Sequence, residues 1–175
     1  MKKIIAQPTA RYISAAVGAT FLFFLCITVF NTFFEYKEET GLIIAQDIAL
    51  LEKIFKTIHE TVGIAGFDLE KNPINFLTIK KNGFVGSQVG SMNLIHHNRW
   101  QGPYVERNPS IQNKEYQIVV TQKGDFITPA DGVVLPNNKV IGRDIIIDKN
   151  ADIEKMIGDD FGLSYEGKPL AAKIF

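Results

Sequence analysis

The sequence predicts an α+β protein in which an N-terminal transmembrane helix runs into an amphipathic helix packed on a small antiparallel sheet. Three observations carry this reading. No residue from Ile13 to Phe34 is charged, the apolar residues beyond recur at spacings of four and three, and short β-rich runs separated by turn residues crowd the C-terminal half. The chain divides accordingly into an N-terminal segment, residues 1–12, a membrane span, residues 13–34, and one water-facing domain, residues 35–175.

The span comes first. A helix over Ile13 to Phe34 is about 33 Å long, against a hydrocarbon core of roughly 30 Å. Twelve of its side chains are Ile, Leu, Val or Phe, enough to outweigh Ser14, Thr20, Thr28, Asn31 and Thr32 on insertion. A cleaved secretory signal is the competing reading, since Lys2 and Lys3 make a basic start. The apolar run is longer than a signal core, however, and Asn31-Thr-Phe-Phe-Glu35 offers no small-x-small cleavage site, so an uncleaved anchor is expected. Lys2, Lys3 and Arg11 precede the span and Glu35, Lys37, Glu38 and Glu39 follow it. The positive-inside rule therefore places the N-terminus in the cytoplasm and the domain outside. The small residues Ala15, Ala16, Gly18 and Ala19 suit close helix packing in the bilayer. Cys26 is the sole cysteine, which excludes an intrachain disulfide, and a small apolar role is expected for it over lipidation or cross-linking.

Beyond the span, Ile44, Ile48, Leu51, Phe55, Ile58 and Val62 fall on one helical stripe, with Gln46, Glu52, Lys53, Lys56 and Glu60 elsewhere around the helix. Gly41 either leaves span and stripe in one helix or breaks them apart. Gly63, Gly66 and Pro73 end the helix. The stripe fits two arrangements, burial against the protein's own sheet or a coiled coil with another copy; with barely three heptads, the sheet is favoured. Phe67 to Ile95 reads as an irregular, surface-laid connection, with a short helical turn or strand at Ile74 to Ile79.

Strands concentrate afterwards. Glu115 to Thr121 alternates Tyr116, Ile118 and Val120 against Gln117, Val119 and Thr121, and Lys123-Gly-Asp125 turns the chain into Phe126-Ile127, a hairpin. Val133-Val-Leu135, Val140-Ile141 and Ile145-Ile-Ile147 are further strand candidates. Asn150 or Asp152 caps a short helix to about Ile157, and the tail is loosely patterned.

Chemistry has few candidates. Net charge is zero, which argues against nucleic acid as a partner. His96 and His97 are adjacent, His59 stands alone, and no metal-ligand spacing appears. Gly83-Phe-Val-Gly86-Ser-Gln-Val-Gly90 lacks the Gly-Lys-Ser/Thr ending of a phosphate loop and reads as a flexible loop. No serine lies in a Gly-x-Ser-x-Gly setting, and no enzyme is expected. Asp144, Asp148, Asp152, Asp159 and Asp160 form an acidic series whose oxygens suit calcium, and no other cofactor is expected.

The order of an apolar helix, an amphipathic helix, a loop and a small sheet resembles the type IV pilin and type II secretion pseudopilin family. Trp100-Gln-Gly-Pro-Tyr104 looks like the family's Trp-x-Gly-Pro-Tyr element where the loop enters the sheet. Ile153-Glu-Lys-Met-Ile-Gly-Asp-Asp160 is similar to its Asp-Asp-Gly-bearing segment. The resemblance implies a pilin-like fold in a bacterial inner membrane, with a periplasmic domain whose partners are the lipid bilayer and other pilin-like or secretion-system membrane proteins. It also implies calcium in the C-terminal loop, at Asp144, Asp148, Asp159 and Asp160. Trp100, Gly102, Pro103 and Tyr104 have a physical reading of their own, a restricted turn flanked by two rings that fold onto helix or sheet. The family's leader carries a glycine and, five residues on, a glutamate. Here the only nearby glycine is Gly18, Phe23 stands five beyond it, and no acid lies between Met1 and Phe34, which predicts a permanent anchor. A membrane-tethered binding domain that stays out of any filament is the alternative.

Overall fold

In a computed structural model of the chain, residues 8–81, 83–158 and 162–174 are described, the side chains of residues 8–15 and 33–36 excepted. Two compact units divide between Glu38 and Glu39. Helix α1 spans Pro8–Val62.

In the first unit, α1 carries large apolar side chains that stay exposed among the described residues. Val17, Phe21, Leu22, Phe23, Phe24, Val29 and Phe30 are each more than half exposed. Successive positions Phe21 to Leu25 point to all sides of a helix, so no single protein face could cover them. The described residues hold one helix long and apolar enough to cross a membrane, Ala16–Val62, with a mean hydropathy of 2.0 in its apolar stretch. The hydroxyls inside that stretch are not left bare. Thr20 donates to Ala16 O, Thr28 to Phe24 O and Thr32 to Thr28 O, each at 2.9 Å. Such back-bonding removes the cost of placing a hydroxyl in hydrocarbon.

In the second unit, the predicted stripe is the spine of the core. Ile44, Leu51, Phe55, Ile58 and Val62 have no exposed surface and Ile48 has almost none, while Gln46, Glu52, Lys53, Lys56 and Glu60 face water. The stripe is thus satisfied within its own chain. Helix α1 passes Gly41 without a break. That glycine serves packing: a Cβ there would run into the Tyr165 ring and approach Pro136 to 2.8 Å. Helix α1 stops at Val62, where the Gly63 N–H bonds His59 O at 3.0 Å, a common helix ending.

The segment after the helix departs from expectation. Strands β1 (Ile64–Phe67), β3 (Gln88–Val89) and β4 (Met92–Leu94) form an antiparallel sheet in the order β1-β4-β3, and β2 (Lys71–Pro73) joins a second sheet. Ile74, Phe76, Leu77, Val89, Met92 and Leu94 are buried, so this stretch is part of the core and not a surface-laid connection. Ile74 to Ile79 forms no strand but closes a single turn, the Ile79 N–H donating to Phe76 O at 3.1 Å, and its apolar side chains are inserted from that loop. The end of the Gly83 to Gly90 stretch, from Gln88 on, enters the β3–β4 hairpin.

Strands β5 (Ser110–Ile111) and β6 (Lys114–Glu115) form a small hairpin, and β7 (Gln117–Thr121) and β8 (Gly124–Thr128) form the predicted one. The latter turns on Gln122-Lys123, one residue earlier than the glycine suggested, because Thr121 pairs with Gly124. Gln117, Ile118 and Val119 are all buried. Both faces of the central strand are therefore covered, which hides the simple alternation. The candidates at Val133, Val140 and Ile145 are not strands. Single bridges, Val134 to Val140 and Ile141 to Ile145, hold a compact loop whose Val133, Leu135, Ile141, Ile145 and Ile147 still reach the core.

Helix α2 (Ile153–Gly158) follows, and Asp152 is its cap, accepting the Lys155 N–H at 3.3 Å. The tail is better ordered than its pattern implied. Strands β9 (Ser164–Tyr165) and β10 (Lys168–Pro169) make a hairpin, and β11 (Ala172–Lys173) pairs with β8 to complete an antiparallel sheet in the order β11-β8-β7-β2. Leu170, Ala171, Ala172 and Ile174 are buried there.

Candidate functional site

The Trp100 to Tyr104 turn is built from three converging segments. A short 3-10 turn, His97–Arg99, delivers Trp100 into the core, where its ring has no exposed surface. Its Nε1 donates to Ile79 O at 3.0 Å. The Phe84 and Tyr104 rings meet it edge-on, with centroids at 5.9 and 4.8 Å. Tyr104 N donates to Leu77 O at 2.8 Å, tying the far side of the turn to the same loop. Gly102 is buried and Pro103 exposed, with a cis peptide bond between them. A Cβ at Gly102 would collide with Ile79 O and the Trp100 indole. Gly102→Ala is therefore expected to lower stability by about 1–3 kcal/mol, through overpacking against a backbone atom that cannot rotate away. Urea unfolding of the full chain in neutral detergent micelles reads this directly, and an unchanged midpoint would show that the Ile79 segment yields.

The acidic series is dispersed among local roles. Asp144 pairs with Arg143 at 2.8 Å and accepts the Val140 N–H at 2.8 Å. The Arg143 guanidinium, then that N–H, hold its carboxyl below the usual aspartate range. Asp148 accepts the Asn150 N–H at 2.8 Å, and Asp152 pairs with Lys123, which lowers its carboxyl as well. Asp159 and Asp160 lie outside the described residues. Among the described residues no three His, Cys, Asp or Glu side chains are grouped to hold a metal. His96 and His97 are exposed, the second in the 3-10 turn.

In the first unit, Ala15, Gly18 and Ala19 lie on α1. Ala19 is exposed, and a Cβ at Gly18 would meet nothing within 4 Å. The Ala15 side chain is outside the described set.

Two features escaped the sequence reading. A groove of about 260 Å³ runs between Ala45, Ile48 and Ala49 of α1 and Lys168-Pro169 of β10. It was hidden because the tail showed no pattern. The other is a polar clasp between α1 and the residue that joins β6 to β7: Tyr116 Oη donates to Asp47 Oδ2 at 2.8 Å. Tyr116 has no exposed surface. Loss of hydration raises the Asp47 carboxyl above its ordinary value, and the Tyr116 bond opposes that rise in part. Burial, then the Asp47 charge, pushes the Tyr116 phenol up. An Asp directly before Ile48 of the apolar stripe was a visible signal, but its partner was not.

A carboxyl raised on folding binds its proton more tightly in the folded chain, so its stabilising share is complete below the unfolded value near about pH 4 and is lost as pH rises through the folded value. Asp125, raised by burial, acts in the same direction. Asp47→Asn keeps an acceptor for Tyr116 without a charge to desolvate. It is expected to flatten the fall in stability from about pH 4 upward, by at most about 1 kcal/mol, in urea midpoints measured against pH. A slope equal to the parent's would show that Asp47 is as well hydrated folded as unfolded.

Comparison with protein-family models, with curated proteins and with solved structures found no match to this chain.

Proposed function

We propose that the chain is a membrane-anchored structural or assembly component of the pilin and pseudopilin class, with its N-terminus in the cytoplasm of a bacterium and residues 35–175 in the periplasm. One observation carries the reading: the stripe from Ile44 to Val62 is buried under a small antiparallel domain into which the Trp100 to Tyr104 turn is wedged. In this role the apolar surface of α1 from Val17 to Phe30 supplies lateral contacts with other spans, and Ala15, Gly18 and Ala19 permit close approach. Calcium at the C-terminal acidic series belongs to the same proposal. Cross-linking in native membranes tests it: recovery with pilus or secretion-system components supports the role, and recovery of the chain alone sinks it.

A second reading is favoured by one feature, the absence of any acid between Met1 and Phe34. On this reading the chain is a tethered binding domain that never enters a filament. N-terminal sequencing of the membrane-derived chain separates the two: a retained Met1 removes the processed-pilin version, and a new start near Ala19 restores it.

A further inference from the structure

Charge in the second unit is unevenly placed. From Lys71 to Val105 the sequence has no carboxylate, and its charged residues are Lys71, Lys80, Lys81 and Arg99, with His96 and His97 among them. Lys71 is taken by Asp131 at 2.6 Å. Lys80, Lys81 and Arg99 are exposed and form no salt bridge among the described residues.

The fold brings these three cations to one lobe, where the carboxylate that the fold adds, Asp68, is held by the Gln88 and Asn93 side-chain amides. Trp100, next to Arg99, is bonded through Nε1 to the carbonyl of Ile79, next to Lys80. Its ring also meets Phe84. Two apolar side chains stand in water on the same segments: Val85 is 97% exposed, and Ile95, beside His96, is 59% exposed. Val85 follows Phe84 directly, so the half-buried Phe84 ring, set edge-on against Trp100, fixes the position from which the valine projects.

Cations beside projecting apolar side chains match the two layers of a lipid interface, phosphate outside and the acyl boundary a few ångströms deeper. A soluble polyanion would engage the cations and leave Val85 idle. Because the whole chain has no net charge, attraction to an anionic surface must come from a local field such as this one. We propose that this lobe docks on an anionic phospholipid surface, with Lys80, Lys81 and Arg99 at lipid phosphates and Val85 and Ile95 entering the headgroup boundary. The inference does not depend on filament entry.

The test uses the full chain held in neutral phosphatidylcholine nanodiscs and floated with vesicles of phosphatidylcholine, alone or mixed with phosphatidylglycerol. Binding is expected to the mixed vesicles only, and to weaken with added salt. Joint Lys80→Gln, Lys81→Gln and Arg99→Gln substitution should weaken it about a hundred-fold, and Val85→Ser about fivefold. All four side chains are exposed, and Trp100 fluorescence checks that each variant stays folded. No binding, equal binding to neutral vesicles, or indifference to the triple substitution overturns the proposal. So does heparin competition combined with indifference to Val85→Ser, which would assign the lobe to a soluble polyanion.

Discussion

Trp100→Ala is expected to destabilise the second unit by about 3–5 kcal/mol, the range for removing a buried aromatic ring. Three losses combine at one position. The ring occupies fully buried volume, its Nε1 satisfies Ile79 O, and it is the shared edge partner of Phe84 and Tyr104. Trp100→Phe separates them, because it keeps much of the ring and removes only the donor; about 1–3 kcal/mol is expected from the unsatisfied carbonyl. Trp100 is the only tryptophan, so the variants are followed by circular dichroism during urea unfolding. A loss under about 1 kcal/mol for Trp100→Ala, the ordinary cost of an average substitution, would show that the ring is not a core element. The same experiment bears on recognition. If partner binding fails only in variants that also unfold early, the turn acts by holding the domain together.

What was legible in the sequence depended on how far apart the interacting residues lie. The stripe from Ile44 to Val62 was readable because helical period is a local property, and every member proved to be buried. The β7–β8 hairpin was readable for the same reason, since Thr121 and Gly124 close it across two residues. Pairings between distant segments left no such trace. Strand β2 meets β7 across more than forty residues, Lys71 facing Val119, and the pattern around Asn72 and Pro73 is not that of a strand. Strand β11 has only two residues, and Ala172 opposite Ile127 is buried by a contact that no periodicity in the tail announces. The loop from Val133 to Ile147 was misread because a run of β-branched residues signals burial as much as extension. There the burial came with single bridges and no ladder. For the candidate site, the rings of Trp100 and Tyr104 folding inward followed from the Gly-Pro turn between them. Ile79 as the indole's acceptor did not, because it is supplied by a loop without secondary structure.

The other large effect concerns the helix itself. Phe55→Ala is expected to cost about 3–5 kcal/mol, since Phe55 is fully buried and meets Phe76 edge-on at 6.2 Å and 87°. Lys56→Ala, one position along and exposed, should stay within about 0.5 kcal/mol of the parent. Protein concentration distinguishes the two arrangements first open to this stripe. Burial within one chain makes the Phe55→Ala loss the same at every concentration, whereas a stripe shared between copies would make it grow on dilution, by mass action. A constant loss also constrains any assembly. With Ile44, Ile48, Leu51, Phe55, Ile58 and Val62 used inside the domain, contacts along this part of α1 must fall on the face that carries Gln46, Ala49, Leu50 and Lys53, all exposed. That face is only half apolar, so an interface there would rest on few buried side chains and be correspondingly sensitive to a single charge, such as Ala49→Glu, in the cross-linking experiment.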